Sequence, residues 1–196
     1  MLKADLRREM LARRRALSNA ELARRSAELA AHLFAEFDLG AWRTVHVFLP
    51  LERQREPDTW LIIRRLWAYF PRVQVVVPVV QLDGQLTHRL LGPETELQPN
   101  TWGIPEPLGA PAVAATNIDA VLLPLLAFDV QGHRVGYGKG FYDRFLQECP
   151  KAQRIGLSLE PPVERITDAW PGDVPLHACI APERVWWFDE PQHAGE

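Results

Sequence analysis

Two short stretches of nearly unbroken apolar residues limit what this chain can fold into. Residues 73–80 are valine except at Gln74 and Pro78, and residues 118–123 read I-D-A-V-L-L. A strand that is apolar at successive rather than alternate positions has both faces covered. That is the state of a strand inside a parallel sheet with helices above and below it. Further strand candidates lie at 44–49, 85–90, 153–159, 176–180 and 184–188. They alternate with helical patterns at 2–16, 18–37, 58–69 and 140–148. The alternation predicts an α/β fold, with a hairpin at Asp83-Gly84 and the last two strands supplying a mixed edge.

Local signals sharpen the boundaries. Ser18 and Glu21 form a capping box at the start of the second helix, and Asp58 or Thr59 caps the third. Prolines and glycines interrupt residues 92–117, which are expected to form a long ordered loop or a lid. The tail after Pro191 is expected to fray. With 196 residues, 47% of them hydrophobic, the chain can bury one substantial core. No linker divides it, so the expectation is a single three-layer, Rossmann-like domain over residues 1–196.

Charge and cysteine content exclude several classes of function. The 22 basic and 25 acidic residues leave a net charge of −3, which offers no global attraction to nucleic acid or anionic lipid. No segment approaches the roughly 20 apolar residues that span a bilayer. No secretory-length apolar core follows the charged N-terminus. A cytoplasmic monomer without nucleic-acid or membrane partners is expected. Cys149 and Cys179 lie outside any C-x-x-C pair and are expected to be buried free thiols.

The chemistry points to residues 129–146, D-V-Q-G-H-R-V-G-Y-G-K-G-F-Y-D-R-F-L. Gly136, Gly138 and Gly140 stand at every second position between an apolar strand and an amphipathic helix. Such glycines let main-chain N–H groups approach an anion, and a helix start adds a favourable field. Arg134 and Lys139 would add charge-assisted bonds to phosphate oxygens. The spacing is neither a Walker A loop nor a dinucleotide fingerprint. The alternative is a glycine-rich turn packed against a helix. Asp143, in the first helical turn, either stabilises the helix dipole or contacts Mg²⁺ beside bound phosphates. Asp129 is expected to orient the loop by accepting main-chain N–H bonds.

Elsewhere, Lys3, Arg7 and Arg14 line one edge of the apolar stripe of the first helix. They form either a solvated face or, if that helix docks over the glycine loop, a set of inward-pointing cations. The six histidines show no metal-ligand spacing, and only His133 falls near the loop. Trp102, in the proline-rich T-W-G-I-P-E-P, has no regular element to pack within and suits the wall of a pocket for a flat ligand. In an α/β sheet, ligands gather beyond the carboxyl ends of the strands. The loops leaving such ends are 50–58, 124–140 and 160–172.

Taken together, R-x-G-x-G-x-G-x-Y-D-R at 134–144, A-F-D at 127–129, K-x-x-x-R at Lys3 and Arg7, E-x-D-T at 56–59, W-G-I-P-E-P at 102–107 and D-V-P-L at 173–176 resemble the 5-formyltetrahydrofolate cyclo-ligase family. The resemblance runs nearly the length of the chain in the family's order. It implies ATP and Mg²⁺ as cofactors and a reduced folate, 5-formyltetrahydrofolate, as substrate, possibly polyglutamylated. It implies that Lys3 and Arg7 reach the ATP phosphates, and that Arg134, Gly136, Tyr137, Gly138, Lys139, Gly140, Phe141 and Tyr142 surround them. Lys3, Arg134 and Lys139 would carry the catalytic charge, and Asp143 would hold the metal. Phe48, Glu56, Trp102 and Tyr142 would lie about the folate. The implied activity is ATP-driven closure to 5,10-methenyltetrahydrofolate. The alternatives are a sugar-phosphate isomerase or transferase on a related scaffold, or a non-catalytic regulator that binds RNA or protein through the basic first helix.

Overall fold

A computed structural model describes residues 1–100 and 103–188. The helices are α1 (Lys3–Ala16), α2 (Asn19–Glu36), α3 (Trp60–Tyr69) and α4 (Phe141–Glu148). The strands are β1 (Thr44–His46), β2 (Gln74–Val80), β3 (Leu86–Leu90), β4 (Leu97–Pro99), β5 (Pro105–Pro107), β6 (Ala112–Val113), β7 (Ala120–Pro124), β8 (Ala127–Phe128), β9 (Arg134–Val135), β10 (Gln153–Leu157), β11 (Ala178–Ile180) and β12 (Val185–Trp187). The main sheet has 8 strands in the order β12-β11-β10-β7-β1-β2-β3-β6. Its central run from β11 to β2 is parallel. β12, β3 and β6 make the edges antiparallel to their neighbours. This is the expected α/β sheet with mixed edges.

Both faces of the valine-rich strands are covered, as their composition demands. Val45, Val75, Val77, Leu122 and Ile155 pack with Leu29 and Leu33 of α2 and Ile62, Ile63 and Leu66 of α3. Val76, Val121 and Leu123 face the other way, onto Phe145 and Leu146 of α4. Alternate residues of one strand thus feed different cores. Each leucine fully withdrawn from water on either face contributes about 1.5–3 kcal/mol. Cys149 and Cys179 are free and buried in the second of these cores.

Both helix starts carry a side-chain cap, but the box at Ser18 is one-sided: the Glu21 carboxylate turns to Arg24 and Arg25. The Ser18 hydroxyl accepts from the Glu21 N–H at 3.1 Å. At α3 it is Asp58 that accepts from the Trp60 N–H (3.0 Å). Thr59 instead donates to the Phe48 carbonyl at 2.6 Å, tying the chain after β1 to the start of α3.

Residues 92–117 are not one irregular loop. β4 and β5 pair as a small ribbon, and β6 joins the sheet beside β3. The segment breaks up because its prolines tolerate edge strands but cannot enter central ones. The β8–β9 ribbon also lacked a sequence signal, each strand being two residues long. Together with Ile166 it forms the platform on which Leu6 and Met10 of α1 rest. The frayed tail expected after Pro191 lies outside the described residues.

His46 of β1 and His88 of β3 face α4 in the second core. Their rings are 5.2 Å apart and both pack on Phe145. None of the four ring nitrogens has a hydrogen-bond partner among the described residues. Burial pushes the His46 imidazole well below its ordinary range and His88 down to about 4. Each therefore folds neutral, while the unfolded chain takes up protons below about 6.5. The stability they allow is complete above that pH and is lost as pH falls towards 4. The melting temperature should drop over this window. A His46→Val, His88→Leu double variant should flatten the dependence and gain about 1 kcal/mol at pH 7.5, because buried polar nitrogens without partners are removed. Parallel acid slopes for the two proteins in thermal melts would refute this.

Candidate functional site

A cleft of about 540 Å³ opens at the carboxyl ends of β1, β2 and β7. Phe48 and Glu56 line it from the chain after β1, and Pro78 and Val80 from β2. Pro124 lines it from β7, and Arg134 and residues 136–143 from the glycine loop and α4. Lys3 and Arg7 enter from α1, so that helix does dock over the loop with these two cations inward. Of the three loops singled out in the sequence, 50–58 and 124–140 contribute to the cleft; residues 160–172 do not. The third loop anchors α1 instead. The Thr167 N–H donates to the Met1 carbonyl at 3.0 Å, and the Lys3 N–H to Asp168 Oδ1 at 2.8 Å.

The glycine loop is shaped by close approaches. Gly138 has φ +85°, and a Cβ there would lie 3.2 Å from Arg7 Cζ. Gly140, the N-cap of α4, has φ +69°, and its Cβ would lie 2.9 Å from Arg144 Nη1. Left-handed backbone and tight neighbours both favour glycine at these two positions. Arg7 Nε donates to the Gly136 carbonyl at 2.9 Å, clamping the loop to α1.

The cations differ in what they are free to do. Lys3 pairs with Asp173, whose carboxyl burial would raise but Lys3 holds below its ordinary range. Arg134 is buried and donates to the Val174 carbonyl and, at 2.6 Å, to Asp143 Oδ1. Burial lowers its pKa, against the pull of Asp143. Arg144 donates to the Gly84 carbonyl at 2.6 Å and stacks on Phe141, linking the β2–β3 hairpin to the loop. Lys139 is exposed, and its side chain makes no hydrogen bond or ion pair among the described residues. It alone of these four is uncommitted.

Asp143 Oδ1 accepts from Arg134 and from the Val174 N–H (3.4 Å); Oδ2 has no partner among the described residues. Among those residues no cluster of three His, Cys, Asp or Glu side chains could hold a metal unaided. One carboxylate oxygen without a partner among the described residues, on a side chain that lines the cleft, nevertheless fits Mg²⁺, which takes one or two carboxylates and completes its shell with phosphate oxygens and water.

Glu56 is buried. Its Oε2 accepts from the Leu51 N–H (2.8 Å) and its Oε1 from the Tyr137 hydroxyl (2.7 Å). Burial raises the Glu56 pKa against these bonds and the charge of Arg14. Burial also raises both tyrosines, Tyr137 and Tyr142, so they stay neutral donors.

Asp129 does what its position implied. Its carboxylate accepts from the Gln131, His133 and Ile166 N–H groups, each at 3.0 Å. His133 bonds Asp129 at 3.1 Å and does not line the cleft. Trp102 lies outside the described residues. Sequence reasoning missed Asp173 as a site residue, although the D-V-P-L match contained it.

The model of the 5-formyltetrahydrofolate cyclo-ligase family matches residues 1–163. The chain belongs to that family. It is 33% identical to 5-formyltetrahydrofolate cyclo-ligase of Escherichia coli strain K12 over 180 residues, covering 89% of this chain and 97% of the relative. The mouse cyclo-ligase is 31% identical over 165 residues, 78% of this chain and 77% of that one. The NMR structure of Aquifex aeolicus 5,10-methenyltetrahydrofolate synthetase superimposes with a TM-score of 0.78 at 25% identity, covering 100% of this chain and 97% of that one. Among the described residues no helix is long and apolar enough to cross a membrane.

Proposed function

We propose that this chain closes 5-formyltetrahydrofolate to 5,10-methenyltetrahydrofolate at the expense of ATP. The γ-phosphoryl group of ATP passes to the formyl oxygen, with release of ADP. N10 then attacks the activated formyl carbon and gives up its proton, and phosphate leaves as the ring becomes the methenyl product. The observation that carries this reading is the convergence of Lys3, Arg7, the glycine loop and Glu56 on one cleft in a chain of this family.

Such a reaction needs positioning and charge neutralisation more than a side-chain nucleophile. Main-chain N–H groups of residues 136–140 and the start of α4 would receive phosphate oxygens, with Lys3, Arg7 and Lys139 adding charge. Mg²⁺, when bound, would supply further neutralisation of phosphate charge. Asp143 is the residue to hold it, steadied by Arg134. Phe48, Glu56 and Tyr142 would face the folate.

Mixing the protein with ATP, Mg²⁺ and 5-formyltetrahydrofolate should raise the methenyl absorbance and release ADP, with ATP omitted as control. A folded protein that gives no absorbance change would sink the proposal. Lys139→Ala should weaken ATP by about tenfold or less, the range of an exposed, flexible cation, and leave the melting temperature unchanged. A loss beyond a hundredfold would show that Lys139 is held rigidly on the transferred group.

A further inference from the structure

Arg14 was one of three cations on the edge of α1, yet it does not line the cleft. It is 5% exposed, and a charge so withdrawn from water needs partners. Nη2 donates to the Leu125 carbonyl (2.6 Å), just past the end of β7. Nη1 donates to the Tyr137 hydroxyl (3.1 Å), in the middle of the glycine loop. That hydroxyl in turn donates to Glu56 Oε1 at 2.7 Å. The Arg14 backbone is held as well. Arg55, whose φ of 51° is strained for a non-glycine residue, donates to the carbonyls of Arg14 (3.2 Å) and Leu17 (2.6 Å). Three segments therefore meet at Arg14: the loop carrying Glu56, the glycine loop and the chain leaving β7.

We propose that Arg14 is a positioning residue: through the Tyr137 hydroxyl it aims the Glu56 carboxylate at the substrate and couples the nucleotide-side loop to the substrate-side loop. This rests on the function proposed above. The titratable groups acting on Glu56 are Tyr137 from the glycine loop, Tyr142 from α4 and Arg14 from α1. The tyrosines stay neutral; burial raises the Glu56 pKa, and the Leu51 N–H, the Tyr137 hydroxyl and then the charge of Arg14 each pull part of it back. Without Arg14 the carboxylate protonates at a higher pH, and the acid limb of kcat/KM for folate moves up with it.

The test compares wild type with Arg14→Met, Arg14→Lys and Tyr137→Phe. Arg14→Met should raise KM for 5-formyltetrahydrofolate about tenfold, the worth of one hydrogen bond to a charged group, with a much smaller change for ATP. It should shift the acid limb of the profile upward, and lysine should restore part of both. Tyr137→Phe keeps the ring, removes only the link, and should act in the same direction even if Arg14→Met does not fold. The carbon-13 shift of the Glu56 carboxyl, followed against pH, gives a readout independent of turnover: it should titrate higher in Arg14→Met or Tyr137→Phe than in wild type. An active wild type whose folate KM, pH profile and Glu56 titration are matched by the variants overturns this role alone. A wild type that forms no methenyl product overturns the proposed function and this role with it.

Discussion

Asp143→Asn should lower turnover by about a hundredfold or more at ordinary Mg²⁺, the usual loss when a preorganised electrostatic group is removed from a site. Raising Mg²⁺ should recover part of it. Asparagine keeps an oxygen in place but discards the charge that the proposed metal contact needs. The structure adds a second consequence. Asp143 Oδ1 is the partner of the buried Arg134, so the variant leaves that guanidinium less well compensated. Breaking a fully buried pair costs about 3–5 kcal/mol; Asp143 is partly exposed, and about 1–2 kcal/mol is expected. The two effects separate cleanly. Mg²⁺ rescue of turnover without recovery of the melting temperature supports both roles. Lost stability with near-wild-type turnover at limiting Mg²⁺ would leave Asp143 only as the support of Arg134.

Glu56→Gln should raise KM for 5-formyltetrahydrofolate by about ten- to a hundredfold, the worth of a hydrogen bond to a charged group, and change ATP much less. Glutamine can meet the Leu51 N–H with its oxygen and offer its amide to the Tyr137 hydroxyl, so the shape of the loop survives. What disappears is the negative charge presented to the substrate. The melting temperature should hold or rise slightly, since a buried carboxylate is costly to keep ionised. An unchanged folate KM in a normally folded variant would remove Glu56 from the substrate side.

Much of the fold was legible because its signals are local. A run such as residues 73–80 specifies a strand with two covered faces wherever it lies in the sheet. Ser18 and Asp58 mark helix starts through bonds to neighbours two or three residues away. The short ribbons β4–β5 and β8–β9 were not legible, since strands of two or three residues are too short to show a period. The candidate site was half legible. Glycines at 136, 138 and 140 announced the loop, and the apolar stripe of α1 brought Lys3 and Arg7 to the right edge. Loop 160–172 was expected at the cleft from its place after β10, but its backbone is used to hold the start of α1.

The sequence by itself determined the order of the helices and of the main-sheet strands other than β6, the covered sheet, the glycine loop and the family. Only the tertiary structure decided which charges are spent on the protein and which remain free. Lys3, Arg134 and Arg144 are committed to Asp173, Asp143 and the Gly84 carbonyl; Lys139 stays open. Tyr137 meets Glu56 across 81 positions of sequence, and Arg14 reaches Tyr137 across 123. The reason is physical. Periodicity fixes the face on which a side chain stands, but a hydrogen bond is won or lost over a few tenths of an ångström. That distance is set by how packed elements settle against one another.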